Sequence, residues 1–209
     1  MVTPAGIAQY PSLNAPDTKF SEDGVYKVTL RLPADEQETQ DLITKLEGIR
    51  DTAWENEHSP KMLAKQRNAY RPKDVAEEEF DDAGNPTGYV LLNAKCNAVW
   101  RDKKTGRTVS LKPELVDSKR NALPEGVQIR AGSKLKLAVQ PVGWAMPSSK
   151  QYGCSLRLKA VMVIDLVSGS AASAFDIEQD GWEAPQDDGG AFTEQPSKTA
   201  EDLEDDIDF

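Results

Sequence analysis

The stretch Val25-Tyr26-Lys27-Val28-Thr29-Leu30-Arg31-Leu32 alternates between two kinds of side chain. One set is apolar and consists of Tyr26, Val28, Leu30 and Leu32. Successive side chains of a β-strand point to opposite faces, so this alternation predicts a half-buried strand. Its outer face carries two cations, Lys27 and Arg31.

Three later segments repeat the pattern, at residues 89–101, 134–142 and 156–166. The four strands each carry two basic side chains on the polar face, namely Lys27 and Arg31, Lys95 and Arg101, Lys134 and Lys136, and Arg157 and Lys159. A basic hairpin turn adds Lys103, Lys104 and Arg107 before a short strand at residues 108–111. Four such strands in one small domain indicate a basic sheet face or groove, with scattered solvation of these charges as the alternative.

A helical period separates the first two of these strands. Residues 35–57 place Leu42, Leu46 and Ile49 at helical spacing, and Ser59-Pro60 has the form of an N-cap followed by a first-turn proline. Residues 71–88, which include an acidic cluster at 77–82, are predicted to form a loop. The fold class is therefore mainly β. We predict an oligonucleotide-binding (OB) fold, a five-stranded antiparallel barrel with an inserted helix or helix pair.

The charge of the chain is divided unevenly. Residues 176–209 hold 13 acidic residues against Lys198, a net charge of -12, whereas the whole chain carries -10. Residues 1–175 therefore carry +2, and residues 85–160 carry +10. A basic body tethered to its own polyanion indicates a polyanionic ligand. We predict a nucleic-acid-binding domain at residues 1–175 and a disordered acidic tail at residues 176–209.

Composition favours the cytosol. No window approaches the roughly 18–20 apolar residues of a membrane span, and the first residues lack the features of a signal peptide. We therefore expect no membrane partner. Cys96 and Cys154 lie far apart in strand-like segments and are expected to be buried thiols rather than a disulfide.

Enzymatic interpretations find little support in the sequence. The chain has one histidine, His58, and lacks the cysteine and histidine clusters of zinc sites and the glycine-rich loops that bind phosphates. The acidic cluster at residues 77–82 lies in consecutive positions and is expected to be solvated. We predict no catalytic residues, no metal and no cofactor.

Nucleic-acid binding needs cations for phosphates and exposed aromatic rings for bases. Trp144 has the parity of Lys134 and Lys136 and is the best stacking candidate, followed by Tyr152 at the barrel rim. The weaker stacking candidates are Tyr10 and Tyr89, while the aromatic residues expected to pack in the core are Phe20, Tyr26 and Trp100.

Five short stretches follow one another in the order of a known family. They are Gly24-Val25-Tyr26-Lys27-Val28, Asp102-Lys103-Lys104-Thr105, Val116-Asp117-Ser118-Lys119, Gly132-Ser133-Lys134-Leu135-Lys136 and the terminal Asp208-Phe209. Over residues 20–166 and at its end, the chain thus resembles the single-stranded DNA-binding proteins of tailed bacteriophages, of the short-tailed coliphage type.

The resemblance implies cooperative coating of single-stranded DNA during replication and recombination, in the cytoplasm of an infected bacterial host. It implies DNA contacts at Lys95 and at Lys134 or Lys136. It also implies that the tail contacts the phage DNA polymerase and helicase-primase, for which the expected residues are Asp205, Asp206, Asp208 and Phe209. We expect the tail to occupy the basic groove of its own or of a neighbouring subunit when DNA is absent, which would give a homodimer through the tail.

The chain departs from the family at two aromatic positions, where it has Asn97 and Val142. This implies that base stacking is reduced or moved, which leaves room for double-stranded DNA binding. Three other functions stay open on the sequence. They are an RNA-binding barrel, an acidic nucleic-acid mimic that blocks a host enzyme, and a metal nuclease.

Overall fold

A computed structural model describes residues 1–102 and 105–167. In chain order, the strands of this part are β1 Gly6–Asp17, β2 Val25–Pro33, β3 Arg71–Pro72, β4 Glu77–Phe80, β5 Pro86–Asn97, β6 Val99–Arg101, β7 Thr108–Ser110, β8 Glu114–Val116, β9 Lys134–Met146 and β10 Gln151–Asp165. Its α-helices are α1 Gln37–Ala53 and α2 Ala64–Arg67, with a π-helical turn Trp54–His58 and a 3-10 turn Ser59–Lys61 between them. The predicted domain boundary at residue 175 and the acidic tail lie outside the described residues.

Five long strands close into a barrel in the order β1-β2-β5-β10-β9 and back to β1. Neighbouring strands pair antiparallel, except that β5 and β10 close the barrel with a short parallel pairing at Ala94–Leu156 and Lys95–Arg157. The helices lie between β2 and β5. The predicted OB-fold with a helical insertion is confirmed, and the parallel closing pair is the one difference from a fully antiparallel barrel.

The apolar faces of the predicted strands fill this barrel. Leu30, Leu92, Leu135, Leu137 and Leu158 are at most 1% exposed, and each comes from an alternating segment. Because burial of apolar surface is the main favourable term in folding, these positions fix which face of each strand turns inward. The alternate positions, including the predicted cations, must then face outward.

Helix α1 packs against the barrel through Leu42 and Leu46, both buried. Its last residue, Ala53, approaches β9 so closely that a Cβ on Gly143 would overlap the Ala53 side chain. The shorter helix begins later than predicted, because Ser59–Lys61 forms a separate 3-10 turn and α2 starts at Ala64.

Two strand assignments differ from the prediction. Residues 71–88 are not a loop, because β4 pairs antiparallel with β5 and β3 pairs with the start of β10. Charged residues are tolerated in β4 since it lies at the sheet edge, where one face and one side meet solvent. The long strand β1 was not predicted, because Pro11 and Pro16 interrupt its alternation.

Both cysteines, Cys96 and Cys154, are free thiols that pack partly against the core, and burial raises the pKa of each. Across the described residues, no helix combines the length and apolar character needed to cross a membrane.

Candidate nucleic-acid interface

Three cations lie side by side on the outer face of the barrel. Strand pairing places Lys27 of β2 opposite Lys95 of β5, and Lys95 opposite Arg157 of β10. Neighbouring strands are about 4.8 Å apart, so the three side chains emerge as one row across three strands. We call Lys27, Lys95 and Arg157 the basic row.

Like charges directly opposite one another on a sheet are destabilising. Lys27 is partly neutralised by Asp17, whose carboxylate lies 2.5 Å from its ammonium group. Lys95 and Arg157 are exposed and form no ion pair with another described residue. An external anion such as a phosphate would relieve the repulsion along the row.

A groove of about 510 Å³ runs beside the basic row, where β5 and β10 separate. Its cations are Lys27, Lys73 and Lys95, and its aromatic residues are Tyr10 and Trp144. Thr29, Asn93 and Ser155 add hydroxyl and amide groups. The groove therefore combines positive charge, aromatic surface and hydrogen-bonding groups.

Trp144 reaches the groove because of the residue opposite it. In the pairing of β9 with β10 its partner is Gly153, and a Cβ on Gly153 would overlap the indole ring. The regular pairing of Trp144, Val142 and Gln140 with β10 keeps the parity that the sequence predicts. The indole therefore lies across the outer face of β10, half-buried, on the same side as the basic row.

Tyr10 reaches the same groove from β1. It occupies a register shift between Gln9 and Ser12, and its side chain is 78% exposed. The sequence ranks this residue only as a weaker stacking candidate, whereas the structure brings it to the groove.

Arg31 shares the outer face of β2 with Lys27 but is held by other groups. Its guanidinium donates to both carboxylate oxygens of Glu79 at 2.9 and 3.0 Å and stacks 3.4 Å from the ring centre of Tyr89. Gln9 and Thr87 also donate to Glu79. The hydrogen bonds from Arg31, followed by that from Thr87, lower the pKa of Glu79 to about 2. Arg31 thus ties β2 to β4, which competes with the predicted role in DNA binding.

Lys134 and Lys136 lie at the opposite end of β9 from Trp144. Lys134 pairs with Ile7 of β1, and Lys136 pairs with Met162 of β10. Eight residues separate Lys136 from Trp144, which corresponds to about 26 Å along a strand. The structure does not bring these two lysines into the groove. Lys159 is exposed on β10, two residues beyond Arg157 at an irregularity in the pairing.

The basic hairpin forms a separate two-stranded sheet of β6 and β7. Arg101 makes an exposed ion pair with Asp23 of the β1–β2 loop, and Arg107 is exposed. The predicted contacts Lys103 and Lys104 fall outside the described residues.

Two aromatic residues expected in the core are exposed. Trp100 is 51% exposed because β5 ends at Asn97 and a bend at Ala98 starts the new hairpin, so the parity of β5 no longer applies. Phe20 is 86% exposed in the β1–β2 loop. The core prediction was wrong for both, whereas Tyr26 is buried as predicted.

Tyr152 points away from the groove. Its ring stacks on Trp54 at a centroid distance of 4.5 Å, and Trp54 also contacts Tyr70. This cluster joins the helical insertion to β10. The signal that would have placed Tyr152 there is its parity, which matches the buried Leu156 and Leu158 rather than Gly153.

In the part of the chain that the structure describes, no group of acidic, histidine or cysteine side chains is arranged to hold a metal ion. The acidic cluster that was considered for magnesium includes Glu79, which is bound to Arg31.

The fold and the groove define a class of protein, an OB-fold with a basic and aromatic face across β2, β5 and β10. The faces of the second and third barrel strands, here β2 and β5, are where OB-folds bind oligonucleotides.

A family model described as "Single-stranded DNA-binding protein, Bacteriophage T7" matches residues 5–166, and the chain belongs to this family. It is 28% identical over 169 residues to the single-stranded DNA-binding protein of Escherichia phage T7, covering 77% of this chain and 72% of that protein. It is 27% identical over 204 residues to the corresponding protein of Enterobacteria phage T3, covering 92% and 84%. The family inferred from the sequence is confirmed.

Among solved structures, the crystal structure of gp2.5, a single-stranded DNA-binding protein encoded by bacteriophage T7, superposes with a TM-score of 0.59. The match has 24% sequence identity and covers 88% of this chain and 98% of that one. This likeness supports the fold described above.

Proposed function

We propose that this chain binds single-stranded DNA without sequence preference and acts in phage DNA replication and recombination, as the names of its relatives indicate. The observation that carries the proposal is the basic row, in which Lys27, Lys95 and Arg157 lie in register on adjacent strands beside Trp144.

The chemistry of the groove fits an unpaired strand. Lys95 and Arg157 meet phosphates, and each neutralised phosphate releases counterions, which makes affinity fall with salt. Trp144 offers a ring on which any base can stack, so the contact does not depend on sequence. In a duplex the faces of the bases are covered by their neighbours. The groove therefore favours single strands, and double-stranded DNA would be bound mainly through its phosphates.

The DNA-binding residues proposed from the sequence form two groups. Lys27, Lys95, Trp144 and Arg157 form the centre of the site. The outlying residues, along which a longer strand would continue, are Arg101, Lys103, Lys104, Arg107, Lys134, Lys136 and Lys159. Arg31 and Tyr152 have structural partners, and we propose for them a supporting role in holding β2 and β10.

The test is a set of equilibrium binding measurements with the full chain. Oligonucleotides of thymine, of adenine and of mixed sequence, a duplex of mixed sequence and an RNA of matched length would be compared at several salt concentrations. We expect similar affinities for the DNA single strands and weaker binding to the duplex. Preferential binding of RNA would favour the alternative of an RNA-binding barrel.

The acidic tail is proposed to compete with DNA and to recruit replication proteins. It carries -12 against +10 at residues 85–160, and tethering keeps its local concentration high even when each contact is weak. DNA would displace the tail and free Asp205, Asp206, Asp208 and Phe209 for the phage DNA polymerase and helicase-primase. Insertion of the tail into the groove of a second subunit would produce a homodimer.

We place this activity in the cytoplasm of the infected bacterium, where phage DNA is replicated. The proposed role is stoichiometric coating of DNA rather than catalysis, and it needs no metal or cofactor. Incubation of labelled single strands with the protein and magnesium should leave them intact, and cleavage would support the nuclease alternative.

A further inference from the structure

We propose that Tyr10 is a second base-stacking residue, which binds a different base of the strand from the one that Trp144 binds. This inference deepens the proposed function and rests on it. It assigns to β1 a part of the site that lies outside the four basic strands.

The exposure of Tyr10 is unusual for an aromatic residue within a strand. The side chain is 78% exposed, and it makes no hydrogen bond with another described residue. Packing in the barrel therefore does not explain the position of this ring. Large apolar rings exposed beside a groove are typical of binding surfaces.

The backbone at Tyr10 is held in a conformation that tyrosine rarely adopts. Its φ is +48°, in the left-handed region where glycine and asparagine are favoured. The strain falls at the register shift between Gln9 and Ser12, where β1 leaves its regular pairing with β2. Irregularities of this kind re-aim a side chain, and strained residues cluster at binding sites.

The groove places Tyr10 and Trp144 at its two sides. Across the outer face of the barrel the order of strands is β1, β2, β5, β10 and β9. Tyr10 belongs to the first and Trp144 to the last, while Lys27 and Lys95 lie on the strands between them. A strand that crosses the groove would therefore stack one base at each side, with its phosphates over the lysines.

This arrangement supplies aromatic surface where the middle of the groove has little. Val142 and Asn97 occupy outward positions on β9 and β5 and offer no ring. With Tyr10 included, the groove has two stacking surfaces instead of one. Two stacked bases demand an unpaired strand, so Tyr10 should contribute to selectivity for single strands over duplex.

Two substitutions separate the ring from the backbone. Tyr10→Asn removes the ring but tolerates the left-handed conformation, and Tyr10→Phe keeps the ring. We expect Tyr10→Asn to bind single strands roughly fivefold to hundredfold more weakly, with duplex affinity much less affected. Its melting temperature should not fall, and its salt dependence should match that of the wild type because no charge is removed. Tyr10→Phe should bind within roughly twofold of the wild type.

The independence of the two rings gives a second test. Because Tyr10 and Trp144 would contact different bases, the fold changes of Tyr10→Asn and Trp144→Ala should multiply in the double variant. Oligonucleotides with one 5-iododeoxyuridine at a defined position should crosslink to Tyr10 and to Trp144 from different positions, as identified by mass spectrometry.

The proposal would be overturned if Tyr10→Asn binds single strands as tightly as the wild type while Trp144→Ala weakens them. Equal weakening by Tyr10→Phe and Tyr10→Asn would also exclude stacking, since the ring is retained in one of them. Failure of the proposed function itself looks different, because the wild-type protein would then show no salt-dependent preference for single strands.

Discussion

The indole ring of Trp144 lies directly over Gly153, its pairing partner on β10. A methyl group on Gly153 would overlap the ring at Cζ2 and Cε2. The absence of a side chain at position 153 therefore lets Trp144 extend across β10 toward the groove.

Gly153→Ala should disturb DNA binding through the position of Trp144 alone. We expect Trp144→Ala to weaken single-strand binding about tenfold or more, since stacking contributes about 1–3 kcal/mol per base. Gly153→Ala should cause a loss of similar size, because the displaced ring no longer lies in the groove. Fluorescence anisotropy with labelled oligonucleotides measures both variants.

Gly48→Ala is the matched control for this substitution. Gly48 lies on α1 with no atom within 4 Å of an added Cβ. Alanine is favoured over glycine in helices, so this variant should be slightly more stable, by about 0.5–1 kcal/mol, and should bind DNA normally. If Gly153→Ala also binds normally while it remains folded, Trp144 does not need its observed position.

Glu79 should make stability depend on pH. Its pKa is lowered from 4.5 to about 2, chiefly by hydrogen bonds from Arg31. Since the folded-state pKa lies below the unfolded one, the stabilisation is fully present above about pH 4.5 and is lost as pH falls toward 2. Glu79→Gln should therefore lower the free energy of unfolding near pH 7 by about 1–3 kcal/mol. The difference from the wild type should shrink below pH 4.5, as measured by urea titrations at each pH.

A constant difference between the Glu79→Gln variant and the wild type across this pH range would mean that the carboxylate charge does not carry the effect. DNA affinity near neutral pH should change little, because Arg31 then supports the sheet rather than the ligand.

Lys134 and Lys136 should affect only longer oligonucleotides. They lie about 26 Å along β9 from Trp144, so a short strand that fills the groove does not reach them. Their joint replacement by alanine should leave short-strand affinity unchanged. For long strands it should lower the slope of log K against log salt by up to about 1.4, at about 0.7 per phosphate. An equal effect on both lengths would place these lysines in the central site.

The strand pattern predicts most of the barrel because local alternation is imposed by burial of residues such as Leu30 and Leu92. The outward positions of Lys27, Lys95 and Arg157 follow from the same alternation. Their alignment into one row does not, since strand register depends on contacts between distant segments. The same limit applies to the ion pair of Arg31 with Glu79 and to Tyr10, whose position arises from an irregularity in β1 rather than from a period.

Removal of residues 176–209 should tighten binding to single strands, most strongly at low salt. The deleted segment carries -12, and its attraction to the basic body is screened as salt rises. Deletion of Phe209 alone removes no side-chain charge, so DNA affinity should change little while recruitment of replication proteins is impaired. Affinity can be followed by anisotropy, and recruitment by co-sedimentation with the polymerase on coated DNA. Equal affinities of the full-length and truncated chains at low salt would rule out the competition.

The most direct test of the DNA-binding groove is a salt titration of single-strand binding by a Lys95→Ala, Arg157→Ala double variant. The control is Lys45→Ala with Lys65→Ala, which removes the same charge from exposed positions of α1 and α2. If the basic row binds phosphates, the first variant should bind all sequences more weakly, and its slope of log K against log salt should be smaller by about 1.4. The control should keep the wild-type slope. A wild-type slope in the Lys95 and Arg157 variant, or equal changes in both variants, would contradict the assignment of this face to DNA.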